Sequence, residues 1–186
     1  PFPIISGTSA GAVNAGALAV HADDFGNAVE RLLEVWRNFE PQLRELVRRL
    51  HGSTFHVGER YAVRGGEAMP VRTDVSDPSA LDRLAAITHD TWGDVRLLMN
   101  NAGVQPGSAL FGPVENWRRV FEVNLWGVIH GTRAFGPGMI ARGRPGVIVN
   151  TGSKQGITTP PGDPAYNIAK AGVKIFTEAL QHELRG

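Results

Sequence analysis

The sequence predicts an α/β fold, an open and mostly parallel sheet of about four strands flanked by helices. Two features of the chain lead to this expectation. Short apolar runs of strand length alternate with longer segments of helical period, and this alternation favours parallel strands joined by right-handed crossovers. The runs at 95–99 and 147–149 are mainly apolar, which is typical of strands buried on both faces.

Alternating strands and helices are predicted through the second part of the chain. The segment Asp77-Pro78-Ser79 has the residues of a helix start, since aspartate caps the first turn and proline fits within it. The segment Gly136-Pro137-Gly138 is expected to distort or end the long helix before it. In chain order, we predict a strand over 69–75, a helix over 77–92, a strand over 95–99, a helix over 114–133, a strand over 147–150 and a helix from 164 to the C-terminus.

The first part of the chain has a different organisation. Residues 51–62 carry several polar residues and no clear period, so we place a joint there. This divides the chain into segments 1–62 and 63–186, which we expect to pack as one α/β domain. Within the first segment we predict a strand over 2–6, a sharp turn over 7–11, a helix over 10–21 and a second helix over 25–39.

Composition excludes several classes of function. A length of 186 residues suits one domain with a real core, and a net charge of +1 gives no reason to expect nucleic acid or an anionic membrane as partner. The chain has no cysteine, which excludes disulfides and cysteine-ligated zinc and fits a cytoplasmic protein. No apolar run approaches the ~18 residues of a membrane span. The histidines show no metal-ligand spacing, so no metal site is predicted.

Tyr166 and Lys170 form the most informative pattern in the sequence. Their spacing of four residues places a phenol and an ammonium on one face of a helix, where the cation favours the phenolate form. Ser153 follows the apolar run 146–150, so we expect it just past the end of a strand. Ligands bind at the carboxyl ends of strands in open parallel sheets. Together the three side chains make a complete proton-handling set.

This pattern resembles the active site of the short-chain dehydrogenase/reductase family over about residues 63 to 186. The upstream matches are in the family's order. Asn100-Asn101-Ala102-Gly103 closes a strand as the family's NNAG motif does, Asn124 stands where the family keeps its fourth catalytic residue, and Asp74-Val75 ends an earlier strand where the family contacts adenine. The resemblance implies a partial Rossmann-like three-layer sandwich and an alcohol or carbonyl compound as substrate.

The resemblance also implies a role for each matching residue. Asn124, Ser153, Tyr166 and Lys170 are the implied catalytic residues, with Tyr166 exchanging a proton with the substrate oxygen. The implied cofactor is NAD or NADP. The residues implied to bind it are Asp74 and Val75 at the adenine end, Asn101, Ala102 and Gly103 on the ribose side, and Tyr166 with Lys170 near the nicotinamide.

Two further expectations concern the surroundings of this set. The chain stops at Gly186, directly after the catalytic helix, so the resemblance implies that one wall of the nicotinamide pocket is absent. The chain opens on a segment typical of the middle of a strand, and we expect a fragment or the product of a rearrangement. The family's long and final helices usually pair between subunits, so a homo-oligomer is expected, with these residues as candidate contacts: Trp126, Val128, Phe176 and Leu180.

A second motif gives an alternative function. Gly7-Thr8-Ser9-Ala10-Gly11 fits G-x-S-x-G between a strand and a helix, and residues 1–50 resemble the patatin-like phospholipase family. That resemblance makes Ser9 an alternative nucleophile for a serine acyl hydrolase. The family pairs its serine with an aspartate in an Asp-Gly step, and this chain contains no Asp-Gly dipeptide. A serine without base or oxyanion donors loses most of its activation, so a solvated loop is the plainer interpretation.

The same glycines allow two other interpretations. Gly7 and Gly11 approximate the start of the dehydrogenase phosphate loop, G-x-x-x-G-x-G, but Val13 stands where the third glycine belongs and would crowd a pyrophosphate. The first segment could therefore replace the usual first βα unit while binding dinucleotide poorly. The remaining possibility is a catalytically silent chimera of two family fragments.

Overall fold

The computed structural model describes residues 7–8, 61–63, 66–69 and 71–184. The helices predicted over 10–21 and 25–39 lie outside these residues. In chain order, the described elements are β1 (Gly7–Thr8), β2 (Tyr61–Val63), β3 (Gly66–Ala68), α1 (Pro78–Trp92), β4 (Leu97–Asn100), α2 (Val114–Phe121), a π-helical segment (Glu122–Trp126), α3 (Gly127–Ala141), β5 (Val147–Gly152), α4 (Gln155–Thr158) and α5 (Pro164–Glu183).

The main sheet is parallel, as predicted, and has the order β1-β5-β4. β4 and β5 pair from Leu97 opposite Val147 to Asn100 opposite Asn150. β1 pairs with the carboxyl end of β5, Gly7 lying opposite Thr151. β2 and β3 form a separate antiparallel pair. The described part of the chain is thus an α/β fold with a small parallel sheet flanked by helices, and it places the ends of β4 and β5 side by side.

Apolar packing joins the helices to this sheet. One buried cluster contains Phe135 and Met139 of α3 and Ile148 of β5, with Leu180 of α5 packed against it. Another contains Val120 of α2 together with alanines of α5. Removing such side chains from water contributes about 1.5–3 kcal/mol each to stability. The helix that carries Tyr166 and Lys170 is therefore fixed against β5 by burial on its inner face.

The strand predicted over 69–75 is not formed. Residues 71–74 run without a ladder partner, and the chain turns at Val75 and Ser76. A strand needs a neighbour for its backbone groups, and no described strand lies beside this segment. The helix start after it is confirmed, because the Asp77 side chain accepts a hydrogen bond from the backbone N–H of Ser79 at 2.9 Å.

Two other local predictions differ from the structure. Residues 7–8, predicted as part of a turn, form the short strand β1. Gly136-Pro137-Gly138 does not end the long helix, which continues as α3 to Ala141 with Pro137 inside it. The apolar contacts of Phe135 and Met139 hold both sides of the proline against the core. Burial of the helix face therefore outweighs the local cost of proline.

The candidate contacts for self-association separate into two groups. Val128 is 2% exposed within the chain and Leu180 packs against the core, so the predicted role of Val128 in an interface is wrong. Trp126 is half-exposed and stacks on His130 with a centroid distance of 5.6 Å. Self-association through Trp126 and Phe176 stays a prediction. Among the described helices, none has the length and apolar character that crossing a bilayer requires.

Candidate active site

Two asparagines hold the carboxyl ends of β4 and β5 in register. Asn100 lies opposite Asn150 in the ladder, and its Nδ2 donates to Asn150 Oδ1 at 2.8 Å. Asn150 Nδ2 donates in turn to Thr177 Oγ1 of α5 at 3.0 Å. One residue further on, Thr151 Oγ1 donates to Asn101 Oδ1 at 2.9 Å. These bonds fix the edge of the sheet at which parallel α/β proteins bind ligands.

Lys170 reaches the same edge from α5. Its Nζ donates to the backbone carbonyl of Thr151 at 2.7 Å, and only 4% of the residue is exposed. Burial lowers the pKa of Lys170 below the ordinary value of 10.5. Within the described residues, no carboxylate forms an ion pair with it. A carbonyl dipole and an aromatic ring, not a counter-ion, are the neighbours that stabilise this ammonium.

Tyr166 and Lys170 lie together, as their spacing predicts. Lys170 Nζ is 5.8 Å from the centroid of the Tyr166 ring, within the distance at which a cation is attracted to an aromatic ring. Ser153 comes directly after β5 and is buried. Its Oγ accepts a hydrogen bond from the backbone N–H of Gln155 at 3.2 Å. The structure thus places Ser153 after β5, Lys170 against the end of β5 and Tyr166 beside Lys170, while their catalytic roles stay predictions.

Asn124 occupies the π-helical segment between α2 and α3 and is fully buried. Its side-chain amide bonds the loop after β4 twice. Oδ1 accepts from the Val104 N–H at 2.7 Å and Nδ2 donates to the Val104 carbonyl at 2.8 Å. A Cβ added to Gly103 would lie 3.5 Å from Asn124 Oδ1 and 4.0 Å from Lys170 Nζ. Gly103 therefore lies close to both side chains. A π turn of this kind is frequent at functional sites.

Three of the residues predicted to bind the cofactor line one cavity. Val75, Asn101 and Ala102 border a space of about 200 Å³, whose other walls are mainly apolar side chains of α1, β4 and α3. A Cβ added to Gly127 would lie 2.9 Å from Val75 Cγ2, so the glycine allows α3 to approach Val75 closely. One predicted adenine-end residue and two predicted ribose-side residues thus share this cavity, while their role in binding a cofactor stays a prediction.

Asp74 supplies a fixed negative charge beside this cavity. Its Oδ1 accepts from the Ser76 N–H at 2.9 Å and from the Ser76 hydroxyl at 2.7 Å. These hydrogen bonds hold the pKa of Asp74 below its ordinary value. The carboxylate is therefore an ionised acceptor at neutral pH, which suits a contact with the amino group of adenine. Within the described residues, no group of three or more His, Asp or Glu side chains could hold a metal ion.

Sequence reasoning missed two residues of the site, Ser108 and Asp163. Asp163 precedes α5, and its carboxylate accepts hydrogen bonds from the loop that follows β4. The partners lie 55 residues or more apart in the sequence, so no local pattern marks them. A polar residue directly before the proline of a helix start was the only available signal, and it indicates a cap and not a long-range contact.

The buried charge of Lys170 predicts a particular dependence of stability on pH. Between the lowered pKa and 10.5 the unfolded chain binds a proton that the folded chain does not, so the free energy of unfolding rises with pH there. Below the lowered pKa the folded chain carries the full cost of the buried charge. Lys170→Met removes this titration. We expect wild type to gain stability relative to Lys170→Met as pH rises from the lowered pKa towards 10.5.

Urea unfolding of both proteins at several pH values measures this difference. Lys174→Met is the matched control, because Lys174 lies on the same helix but is exposed and pairs with Glu178. A difference in the free energy of unfolding between wild type and Lys170→Met that stays constant with pH would contradict the expectation.

The fold and site define a class of protein: an α/β protein in which a lysine paired with a tyrosine binds the carboxyl end of a parallel strand that a serine follows, with a mainly apolar cavity beyond the end of the neighbouring strand. The chain belongs to the short-chain dehydrogenase family, since the family model for short chain dehydrogenases matches residues 47–186. The match begins inside the segment 1–62, and the division at residue 62 stays a prediction.

Known relatives agree with this assignment. The chain is 36% identical over 126 residues to 1-deoxy-11-beta-hydroxypentalenate dehydrogenase of Streptomyces exfoliatus, covering 66% of this chain and 46% of that protein. A short chain dehydrogenase/reductase from Burkholderia phymatum, crystallised in complex with NAD, is 31% identical with a TM-score of 0.64 over 98% of this chain and 59% of its own. The closed form of a serine dehydrogenase complexed with NADP+ is 32% identical with a TM-score of 0.60, over 63% of this chain and 48% of its own.

The chain therefore spans about half of the length of these relatives. The comparisons support the dehydrogenase resemblance and give no support to the patatin-like one. Ser9, the alternative nucleophile, lies outside the described residues.

Proposed function

We propose that this chain is an NAD(P)-dependent oxidoreductase that interconverts an alcohol and a carbonyl compound. The contact of buried Lys170 with both the Thr151 carbonyl and the Tyr166 ring is the observation that carries the proposal. This contact pairs a phenol with a cation that binds the end of a parallel strand, and Ser153 directly follows that strand. A set of this kind serves proton exchange at a substrate oxygen.

Each side chain has a distinct task in this proposal. Tyr166 gives a proton to the carbonyl oxygen during reduction and removes one from the alcohol during oxidation. Ser153 Oγ accepts the Gln155 N–H, so its own O–H hydrogen stays available to donate to the same substrate oxygen. The ammonium of Lys170 favours the phenolate of Tyr166 when the proton has left.

Asn124 acts further from the reacting oxygen. Each atom of its amide group already makes one hydrogen bond to Val104, and Oδ1 keeps a second lone pair while Nδ2 keeps a second hydrogen. These free positions suit a water molecule between Asn124 and Lys170. Such a water would carry protons between the lysine and solvent.

The cofactor in this proposal is NAD or NADP, which supplies the exchange of hydride with the substrate carbon. Asp74 and Val75 would contact its adenine end, and Asn101, Ala102 and Gly103 its ribose side. The apolar cavity and the ionised Asp74 fit the adenine end. Lys170, with Tyr166, would hold the nicotinamide ribose. A cytoplasmic location and a homo-oligomer stay predictions from the sequence.

Titration with NADH and NADPH tests the proposal. A cofactor that binds only the folded chain raises the free energy of unfolding, by about 2.7 kcal/mol at a hundred times the dissociation constant. We expect the melting temperature to rise with at least one of the two cofactors. Melting temperatures that stay unchanged with both, up to millimolar concentration, would contradict the proposal.

A charge-matched pair of variants locates the bound cofactor. Asn101→Asp keeps the oxygen that accepts the Thr151 hydroxyl but places a negative charge beside the expected path of an anionic cofactor. We expect about tenfold weaker binding, or about 1.4 kcal/mol. Gln181→Glu makes the same change from amide to carboxylate near the C-terminal end of α5, about three turns beyond Lys170, and should leave the affinity unchanged.

A further inference from the structure

A polar clamp joins the loop after β4 to the first turn of α5. Ser108 is 1% exposed, and its hydroxyl donates to Asp163 Oδ1. The same Oδ1 accepts the backbone N–H of Ser108 at 3.0 Å, while Asp163 Oδ2 accepts Nε2 of Gln105 at 2.9 Å. One carboxylate thus receives three hydrogen bonds from a loop that is distant in sequence.

The serine of the clamp caps α5. Ser108 Oγ accepts the backbone N–H of Ala165 at 3.0 Å, so one of the unpaired N–H groups of the first turn is satisfied from another part of the chain. Ala165 is fully buried, and Tyr166 is the next residue. A shift of the loop would therefore move the backbone of Ala165, the residue directly before Tyr166.

The other end of the same loop is held by Asn124. The two bonds to Val104 fix the chain directly after Gly103, and the clamp at Ser108 fixes it four residues later. The residues proposed to contact the cofactor ribose, Asn101 to Gly103, are thus continuous with the segment that caps the helix of Tyr166. Asn124 and the clamp thus hold this segment at two points, and the clamp joins it to the first turn of α5.

We propose that Ser108 and Asp163 are positioning residues that set the placement of Tyr166 relative to Ser153 and couple it to the loop on the cofactor side. The effect on turnover rests on the proposed function, whereas the effect on the environment of Tyr166 does not. Asp163 stands at the N-cap position of α5, and in this proposal its carboxylate also ties α5 to the loop after β4.

Fluorine NMR of protein labelled with 3-fluorotyrosine tests the clamp without requiring activity. The chain has two tyrosines, so two signals are expected, and Tyr166→Phe assigns them. We expect Ser108→Ala to displace or broaden the Tyr166 signal and to leave the Tyr61 signal unchanged. Where the labelled wild type turns over a substrate, Ser108→Ala should lower kcat by about 10- to 100-fold, since small misplacements near the reacting groups have effects of this size.

Asn116→Ala is the matched control. Asn116 Nδ2 donates to the Gly107 carbonyl at 2.8 Å, so this variant also removes a hydrogen bond from the loop but leaves the clamp to α5 intact. The Tyr166 signal should stay in place. If Ser108→Ala does not fold, Asp163→Asn replaces it, because it keeps the size of the side chain while an amide nitrogen cannot accept the Gln105 N–H.

A Tyr166 signal that is unchanged in the clamp variant, or that moves equally in Asn116→Ala, would overturn the proposal. Failure of NADH and NADPH to bind would instead overturn the proposed function and leave the NMR result standing.

Discussion

Replacement of Tyr166 by phenylalanine should slow alcohol–carbonyl turnover at least a hundredfold while leaving the fold intact. The change removes only the hydroxyl, and the ring that lies 5.8 Å from Lys170 Nζ remains. A positioned general acid or base contributes about 10²- to 10⁴-fold to the rate, so we expect a loss of kcat in that range. Initial rates with NAD(P)H and a panel of small aldehydes and ketones measure it.

Tyr61→Phe is the matched control for this variant. Tyr61 is the chain's other tyrosine. It belongs to the antiparallel pair β2–β3, which is a separate sheet from the parallel one. We expect it to keep the wild-type rate. Turnover by wild type that survives in Tyr166→Phe would show that another group moves the proton.

Gly156→Ala should be strongly destabilising. Gly156 lies in α4, and a Cβ there would come within 2.6 Å of Lys170 C and Ala171 N and 2.8 Å of the Lys170 carbonyl. These are backbone atoms of α5, which cannot rotate away as a flexible side chain can. Overpacking costs about 1–3 kcal/mol and occasionally more, and a backbone clash belongs at the upper end. We expect a loss of about 3 kcal/mol in urea unfolding, together with weaker activity because Lys170 is displaced.

Gly138→Ala is the control variant, and we expect no loss of stability from it. Gly138 is exposed within α3, and a Cβ added there meets no atom within 4 Å. Alanine is favoured over glycine inside a helix by about 0.5–1 kcal/mol, so this variant should be as stable as wild type or more stable. Equal stabilities for the two variants would mean that α4 and α5 do not pack as closely as the structure indicates.

Patterns that are complete within a few residues predicted their structure well. The Asp77 cap, the strand before Asn100 and the shared helix face of Tyr166 and Lys170 depend on local spacing, and the structure contains all three. The strand predicted over 69–75 depends on a neighbour for its ladder, and no described strand supplies one. Local propensity cannot reveal whether such a partner is present.

Long-range contacts account for the other differences. The clamp between Ser108 and Asp163 joins segments 55 residues apart, and no local pattern in either segment predicts the contact. Val128 has the apolar character of an interface residue, but α3 turns it into the core. The π-helical segment likewise has no signature in the sequence, although Asn124 at its centre was identified by resemblance.

The π-helical segment determines which side chains of α3 face the sheet, because α3 follows it without a break. In a regular α-helix each residue turns the chain by about 100°, and a π turn accommodates an extra residue in the same stretch. Gly127 and Gly131 now face Val75 and Asn100, where an added Cβ would collide with each partner. Deleting one residue from Glu122–Trp126 would rotate α3 by about that angle and turn bulkier side chains towards the sheet. The number of residues in this segment therefore decides which face of α3 packs on the sheet.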